Sequence, residues 1–175
     1  MPQIDLKETQ LYIVDGSGSP NVIEVTIGEG NVTWTENREL EYTLNRGLLA
    51  SGSGGTVREG DDQPMSVSFD IRWDEYRSDD GVVVTPVDAL QQEGAAAAWV
   101  SVDSDVCTPY AVDLQLIRDL GSCFAGTNQY EKYLFTSFRW ESIDHDVDAG
   151  QMSVSGTCQV TKVTATREAS DPTPS

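Results

Sequence analysis

The chain is short of the residues that most enzymes depend on. Its 175 residues include one histidine, three cysteines, and 11 lysines and arginines against 29 aspartates and glutamates. Each scarcity removes a class of function. A Ser-His-Asp device would have to use His145, and no Gly-x-Ser-x-Gly turn exists to hold its nucleophile. His145 stands in "DHDVD", where acidic neighbours favour the charged, solvated imidazole. Cys107, Cys123 and Cys158 make no Cys-x-x-Cys, and no paired histidines occur, which argues against zinc. An odd cysteine count without a secretory leader favours free thiols, with a Cys107–Cys123 bridge left open.

The formal charge of −18 disfavours nucleic-acid binding, because phosphate contacts need clustered Lys and Arg. It disfavours an anionic membrane surface for the same reason. No apolar run approaches the ~18 residues of a membrane span, the longest candidate being "GAAAAWVSV" at 94–102. "MPQIDLKETQ" has neither the basic nor the apolar region of a secretory signal, so the expectation is a soluble protein made in a cytoplasm.

Phosphate cradles are missing as well. "GSGGT" lacks the P-loop lysine, and "GEGNVT" lacks the third glycine of a dinucleotide fingerprint. Asp144, Asp146 and Asp148 have calcium-like spacing, but Gly150 falls seventh and Ser155 twelfth, which is not an EF-hand loop. An acidic β-turn is the better reading. Trp34, Trp73, Trp99 and Trp140 all lie in alternating segments, so core packing or an inter-chain contact is preferred to a sugar platform. No catalytic residue, metal or cofactor is assigned.

What is present is a period of two. Met65, Val67, Phe69, Ile71 and Trp73 alternate with Ser66, Ser68, Asp70 and Arg72. That pattern makes a half-buried antiparallel strand over Met65–Tyr76, spanning about 40 Å at ~3.3 Å per residue. Similar alternation places strands around Leu11 and Ile13, over Val22–Ile27, at "NVTWT", at "ELEYTL" with Leu40, Tyr42 and Leu44 inward, and at "AAAAWVSV". Further strands are expected at "PYAVDLQLI", Tyr130–Trp140 and Gln151–Thr166. "ESIDHDVDAG" reads as the turn between the last two. "TPVDALQQEG" carries helix signals: Thr85 at the N-cap, Pro86 at the first position, Asp88 in the first turn and Gly94 at the C-cap.

Residues 46–63 form the longest stretch expected to be irregular, with "SGSGG" at its centre. The tail at 168–175 is polar, contains Pro, and is expected to be disordered. Eight or nine strands and one helix predict a mainly β protein, an antiparallel β-sandwich or barrel-like fold in one domain over 1–167.

"TVREGDDQPMSVSFDIRW", "GAAAAWVSVDSDVCTPYAVDLQL" and "FRWESIDHDVDAGQMSVSGTCQVTKV" together resemble the tail tube (major tail) proteins of long-tailed bacteriophages. The resemblance spans about Leu6 to Arg167. It implies a β-sandwich with a flanking helix, subunits in hexameric rings, and rings stacked into a hollow tube through which DNA passes without specific binding. It implies partners such as a terminator, a tape measure and a baseplate or tip, and a place in the virion tail. The long loop at 46–63 would reach a neighbouring ring, with Leu48, Leu49, Arg58, Glu59, Asp61 and Asp62 as contact candidates. The N-terminal arm at 1–9 would add Lys7 and Glu8. Glu24, Glu39, Glu41, Asp70 and Asp113 lie on polar strand faces and are candidates for an anionic lumen. A tail-completion or head–tail joining protein, and a β-sandwich module binding carbohydrate or protein, are the alternative readings.

Overall fold

The computed structural model describes residues 9–27, 32–43, 56–72, 82–120, 129–172 and 174. Strands β1 (Thr9–Val14), β2 (Val22–Val25), β3 (Thr33–Thr35), β4 (Arg38–Thr43), β5 (Thr56–Asp62) and β6 (Met65–Arg72) precede a short helix α1 (Pro86–Gln91). Strands β7 (Val112–Asp119), β8 (Tyr130–Asp146), β9 (Gln151–Cys158) and β10 (Thr164–Glu168) follow it. The fold is mainly β, and every strand pairing is antiparallel. The main sheet runs β2-β1-β7-β8-β9-β6-β3, with β10 also paired to β8. A single bridge from Ile27 to Ile71 brings the chain after β2 back to β6, so the sheet curls on itself without closing into a barrel.

The core follows from the alternation. In β6, Met65, Val67, Phe69 and Ile71 are buried while the serines between them face out. Their β9 partners Cys158, Gly156, Val154 and Met152 are buried on the same face. Leu11, Ile13, Leu114, Phe135 and Phe138 join them from the other half of the sheet. Helix α1 plugs this core with Val87, Ala89 and Leu90. Burying each of the Val, Leu, Ile, Phe and Met side chains among them contributes ~1.5–3 kcal/mol, so the sheet-plus-plug core dominates stability.

The start of α1 matches its sequence signals. The Thr85 hydroxyl accepts from the Asp88 N–H at 3.3 Å, and Pro86 stands at the first turn. Its end does not. Gln92 closes the helix in the left-handed region with φ 55°, and Gly94 instead opens a separate 3-10 turn, Gly94–Ala96. The strand expected at "AAAAWVSV" is therefore absent. That segment's backbone groups pair with loops: Val100 O accepts from Gly16 N–H at 2.8 Å, and Val102 N–H donates to Ala111 O at 3.0 Å.

Strand β8 is longer than expected, because "ESIDHD" continues it and only the residues after Asp146 turn. Its alternation breaks at Thr136–Ser137, where the β7 register slips and Ser137 has φ 53°. The slip lets Phe135 and Phe138, three residues apart, both face the core. The first half of β8 pairs with β7 and β10, the second half with β9. The last expected strand, Gln151–Thr166, is likewise two strands: β9 ends at Cys158, and the chain returns as β10 beside the start of β8.

Candidate assembly surfaces

Strands β4 and β5 form a two-stranded hairpin of their own, outside the main sheet. The 46–63 stretch was expected to be irregular, yet of its described residues 56–63 all but Gln63 are strand, Thr56–Asp62. It can be strand because "TVREGDD" finds a partner in "RELEYT" with the register Glu41 to Arg58, Tyr42 to Val57 and Thr43 to Thr56. Arg38 Nε lies 3.2 Å from Glu59 Oε1, an exposed pair of the kind that contributes ~0–1 kcal/mol. At the base, Gln63 Nε2 donates to Glu39 Oε2 at 2.9 Å. A Cβ on Gly60 would stand 2.7 Å from Glu39 Cγ, so glycine there lets the glutamate lie across β5.

Cross-strand partners share a face, so the hairpin has two unlike sides. One carries Leu40, Tyr42 and Val57, which are 40%, 71% and 54% exposed, together with Glu59, the partner of Leu40. The other carries Glu41 and Arg58. Leu40 and Tyr42 were expected inward, on a core. They are apolar and alternate as a core strand does, but no layer of the described chain covers them.

The other site candidates fall as follows. Arg58, Glu59, Asp61 and Asp62 all lie on β5, and Glu39 and Glu41 face them on β4. Contact and lumen candidates thus share one hairpin. Leu48, Leu49, Lys7 and Glu8 lie outside the described residues. Glu24 is exposed on β2, opposite Tyr12. Asp70 is half-buried on the outer face of β6 and accepts a hydrogen bond from the Ser153 hydroxyl on β9. Asp113 points at β8, where Oδ1 accepts from the Ser137 N–H at 2.9 Å, and burial raises its pKa above the ordinary carboxylate value.

The residues considered for chemistry are separated. Among the described residues no group of three or more His, Cys, Asp or Glu could hold a metal ion. His145 is exposed near the end of β8, not on a turn. Cys158 is buried, its thiol pushed up to about 12 by desolvation and then by the charge of Asp113. Cys107 is exposed and free, and Cys123 lies outside the described residues. Trp99 is buried in a loop, and Trp34 packs edge-on against Phe135 at 5.4 Å between centroids, so neither offers a sugar platform. Trp73 lies outside the described residues.

One polar hub was invisible as such in the sequence. Asp15 is buried at the end of β1 and receives Asn21 N–H and Nδ2 at 2.7 Å each, Ser17 Oγ at 2.9 Å and Val100 N–H at 3.3 Å. It ties the turn after β1 to the loop before β7. Only the Asp at the start of "DGSGSP" hinted at it, as a residue suited to such turns.

No protein-family model matches the chain, and no curated protein matches it in sequence. Solved structures do. A chain of the sheath–tube complex of an extracellular contractile injection system (PVC), in its extended state, superposes with a TM-score of 0.53 at 7% identity, over 95% of this chain and 93% of that one. The sheath/tube terminator of the same kind of system gives 0.50 at 11% identity, over 95% and 98%. The fold is shared with chains of these two assemblies. It extends over nearly the full length of both chains, and at such identities it is the fold alone that is shared. No helix among the described residues is long and apolar enough to cross a membrane.

Proposed function

We propose that this chain is a structural tail protein whose copies form hexameric rings, and that the rings stack into the tube through which phage DNA passes. The observation that carries the reading is the β4–β5 hairpin, a separate two-stranded element that holds Leu40, Tyr42 and Val57 in solvent. A two-stranded hairpin is marginal alone, so one this exposed gains from a second surface. The shared fold with a sheath–tube chain supports a further copy as that surface. Head-to-tail contacts that close by rotation give rings. Residues 46–63 then reach the next ring, with Leu48, Leu49, Arg58, Glu59, Asp61 and Asp62 in contact and Lys7 and Glu8 contributing from the N-terminal arm. The protein acts without catalysis or cofactor, in the virion tail, alongside terminator, tape-measure and baseplate or tip proteins.

A tube terminator is the second reading, favoured by the likeness to the sheath/tube terminator over 98% of its length. A pelleting assay with electron microscopy separates the two. A tube subunit sediments as long tubes at high concentration, and Tyr42→Ser abolishes this. A terminator stops at single rings. Monomers under all conditions would refute both.

A further inference from the structure

The sheet has a second buried patch, on the face turned away from the core. Val112, Leu114 and Leu116 of β7 belong to the core cluster, so Gln115 and Ile117 lie on the reverse face. Both are nonetheless buried, at 2% and 3% exposure. On β1, Leu11 and Ile13 enter the core, while Tyr12 and Val14 turn the other way. Val14 is buried as well, and its β2 partner Val22 is exposed. The registers put Tyr12 beside Gln115 and Gln10 beside Ile117. The C-terminal segment reaches this face. β10 and the three residues after it are exposed, and then Pro172 is buried. Its neighbour Asp171 acts on Tyr12: burial raises the phenol's pKa, and the charges of Glu24 and Asp171 raise it further. β10 and β7 flank opposite edges of β8, with β1 beyond β7, so the chain crosses the reverse face of β8 and β7 to arrive at Tyr12.

We propose that residues 169–172 are a strap that shuts the reverse-face patch of Ile117 and Gln115 in the free subunit, and that a second copy takes the strap's place in the assembly. The inference rests on the proposed function and adds a control to it. Three features carry it. The strap has a single buried anchor, Pro172, after a run of exposed residues, and a segment held at one point opens locally at small cost. Closure brings the carboxylates of Asp171 and Glu24 to one phenol, and like charges work against it. The patch also runs past the strap: Val22, opposite Val14 on the edge strand β2, leaves an apolar foothold in solvent. While the strap is shut only the open fraction of subunits can join, so the strap raises the concentration that assembly requires.

The test places Tyr12→Cys and Asp171→Cys in a chain with Cys107 and Cys123 changed to Ser, and joins them with a short bis-maleimide that thiols cleave. The linker should bridge the two positions within the dilute monomer, and an absence of bridging overturns the closed strap. The bridged chain should need at least tenfold more protein to form tubes than the same chain after cleavage, read by light scattering and electron microscopy. Equal assembly of the two overturns the strap's control. A second variant ends the chain at Glu168 and should form tubes at a concentration at least tenfold below that of the unmodified chain. An unchanged or higher concentration, or amorphous aggregate in place of tubes, overturns a second copy as the patch's occupant. An unmodified chain that forms no assembly fails the proposed function and the strap's release with it, while the bridging result still decides closure.

Discussion

The Asp113 carboxylate accepts a 2.9 Å hydrogen bond from the backbone of Ser137, a non-glycine residue held at φ 53° in the middle of the longest strand. Left-handed backbone is uncommon for a residue with a Cβ, and a strand offers no internal partner for the displaced N–H. Asp113 supplies that partner from β7. The bulge it secures places Phe135 and Phe138 both in the core and carries β8 from β7 and β10 across to β9. Asp113→Ala should lower stability by ~1 kcal/mol or more, because it leaves a half-buried donor without its partner. Asp113→Asn keeps an acceptor and should cost less than half as much. Ser137→Gly should be neutral or stabilising. Urea unfolding of the three variants checks the set.

The buried Asp15 and the half-buried Asp113 set opposite pH dependences. Burial works to raise the Asp15 pKa, but the bonds from Asn21, Ser17 and Val100 together outweigh it, and the group titrates below the ordinary value. Its stabilisation is complete above the unfolded pKa and is lost as pH falls through the folded one. Asp113 is raised by burial, so its contribution is present below the unfolded pKa and lost as pH rises through the folded one. Thermal unfolding from pH 7 to pH 3 should show Asp15→Asn less stable at pH 7 and less acid-sensitive than the unmodified chain. Asp113→Asn should be relatively more stable at pH 7 than at pH 3.

Gly156 is required where β9 crosses the second irregularity of β8. A Cβ there would meet Arg139 O at 2.1 Å and Phe138 Cζ at 2.8 Å. Gly156→Ala should destabilise by ~3 kcal/mol or more through overpacking against backbone. Phe69→Ala, which empties a site beside Phe138, should cost ~3–5 kcal/mol by cavity formation. Both are read from chemical denaturation of the monomer.

Tyr110 is a contrasting case. Its hydroxyl is buried and has no hydrogen-bond partner in the structure, and burial followed by the charge of Asp15 raises its pKa. Tyr110→Phe removes an unsatisfied group without opening a cavity. It should leave the melting temperature unchanged or raise it, where most core substitutions lower it.

Hairpin variants should separate assembly from folding. Tyr42→Ser, Val57→Ser and Arg58→Glu change side chains that the described subunit leaves in solvent. Each should shift monomer stability by less than about 0.5 kcal/mol, as surface substitutions do. Each should raise the concentration needed for assembly at least tenfold, read by light scattering.

Strands with one face on the core were readable from sequence. β6 and β9 alternate because each buries one face along its whole length. The bulge in β8 was not readable, because it is set by Asp113, 24 residues before Ser137, and serine carries no signal for left-handed backbone. The "AAAAWVSV" segment looked like strand because its residues are small and apolar. It is a loop because Asp15, Gly16 and Ala111 take up its backbone groups. The strand nature of β5 was hidden by its charge, and the exposure of Leu40 and Tyr42 by their alternation. Sequence shows that such residues seek cover; it does not show whether the cover belongs to the same chain. The row of hydroxyls formed by Thr33, Ser68, Ser155 and Ser142 was missed because it exists only across four strands in register.

Cryo-electron microscopy of the purified chain at high concentration tests the central claim most directly. The account predicts stacked rings of uniform diameter around an open bore, with the β4–β5 hairpin seated on an adjoining copy and Tyr42 and Val57 buried there. A dispersed monomer at every concentration, or an assembly in which the hairpin stays in solvent, would contradict it.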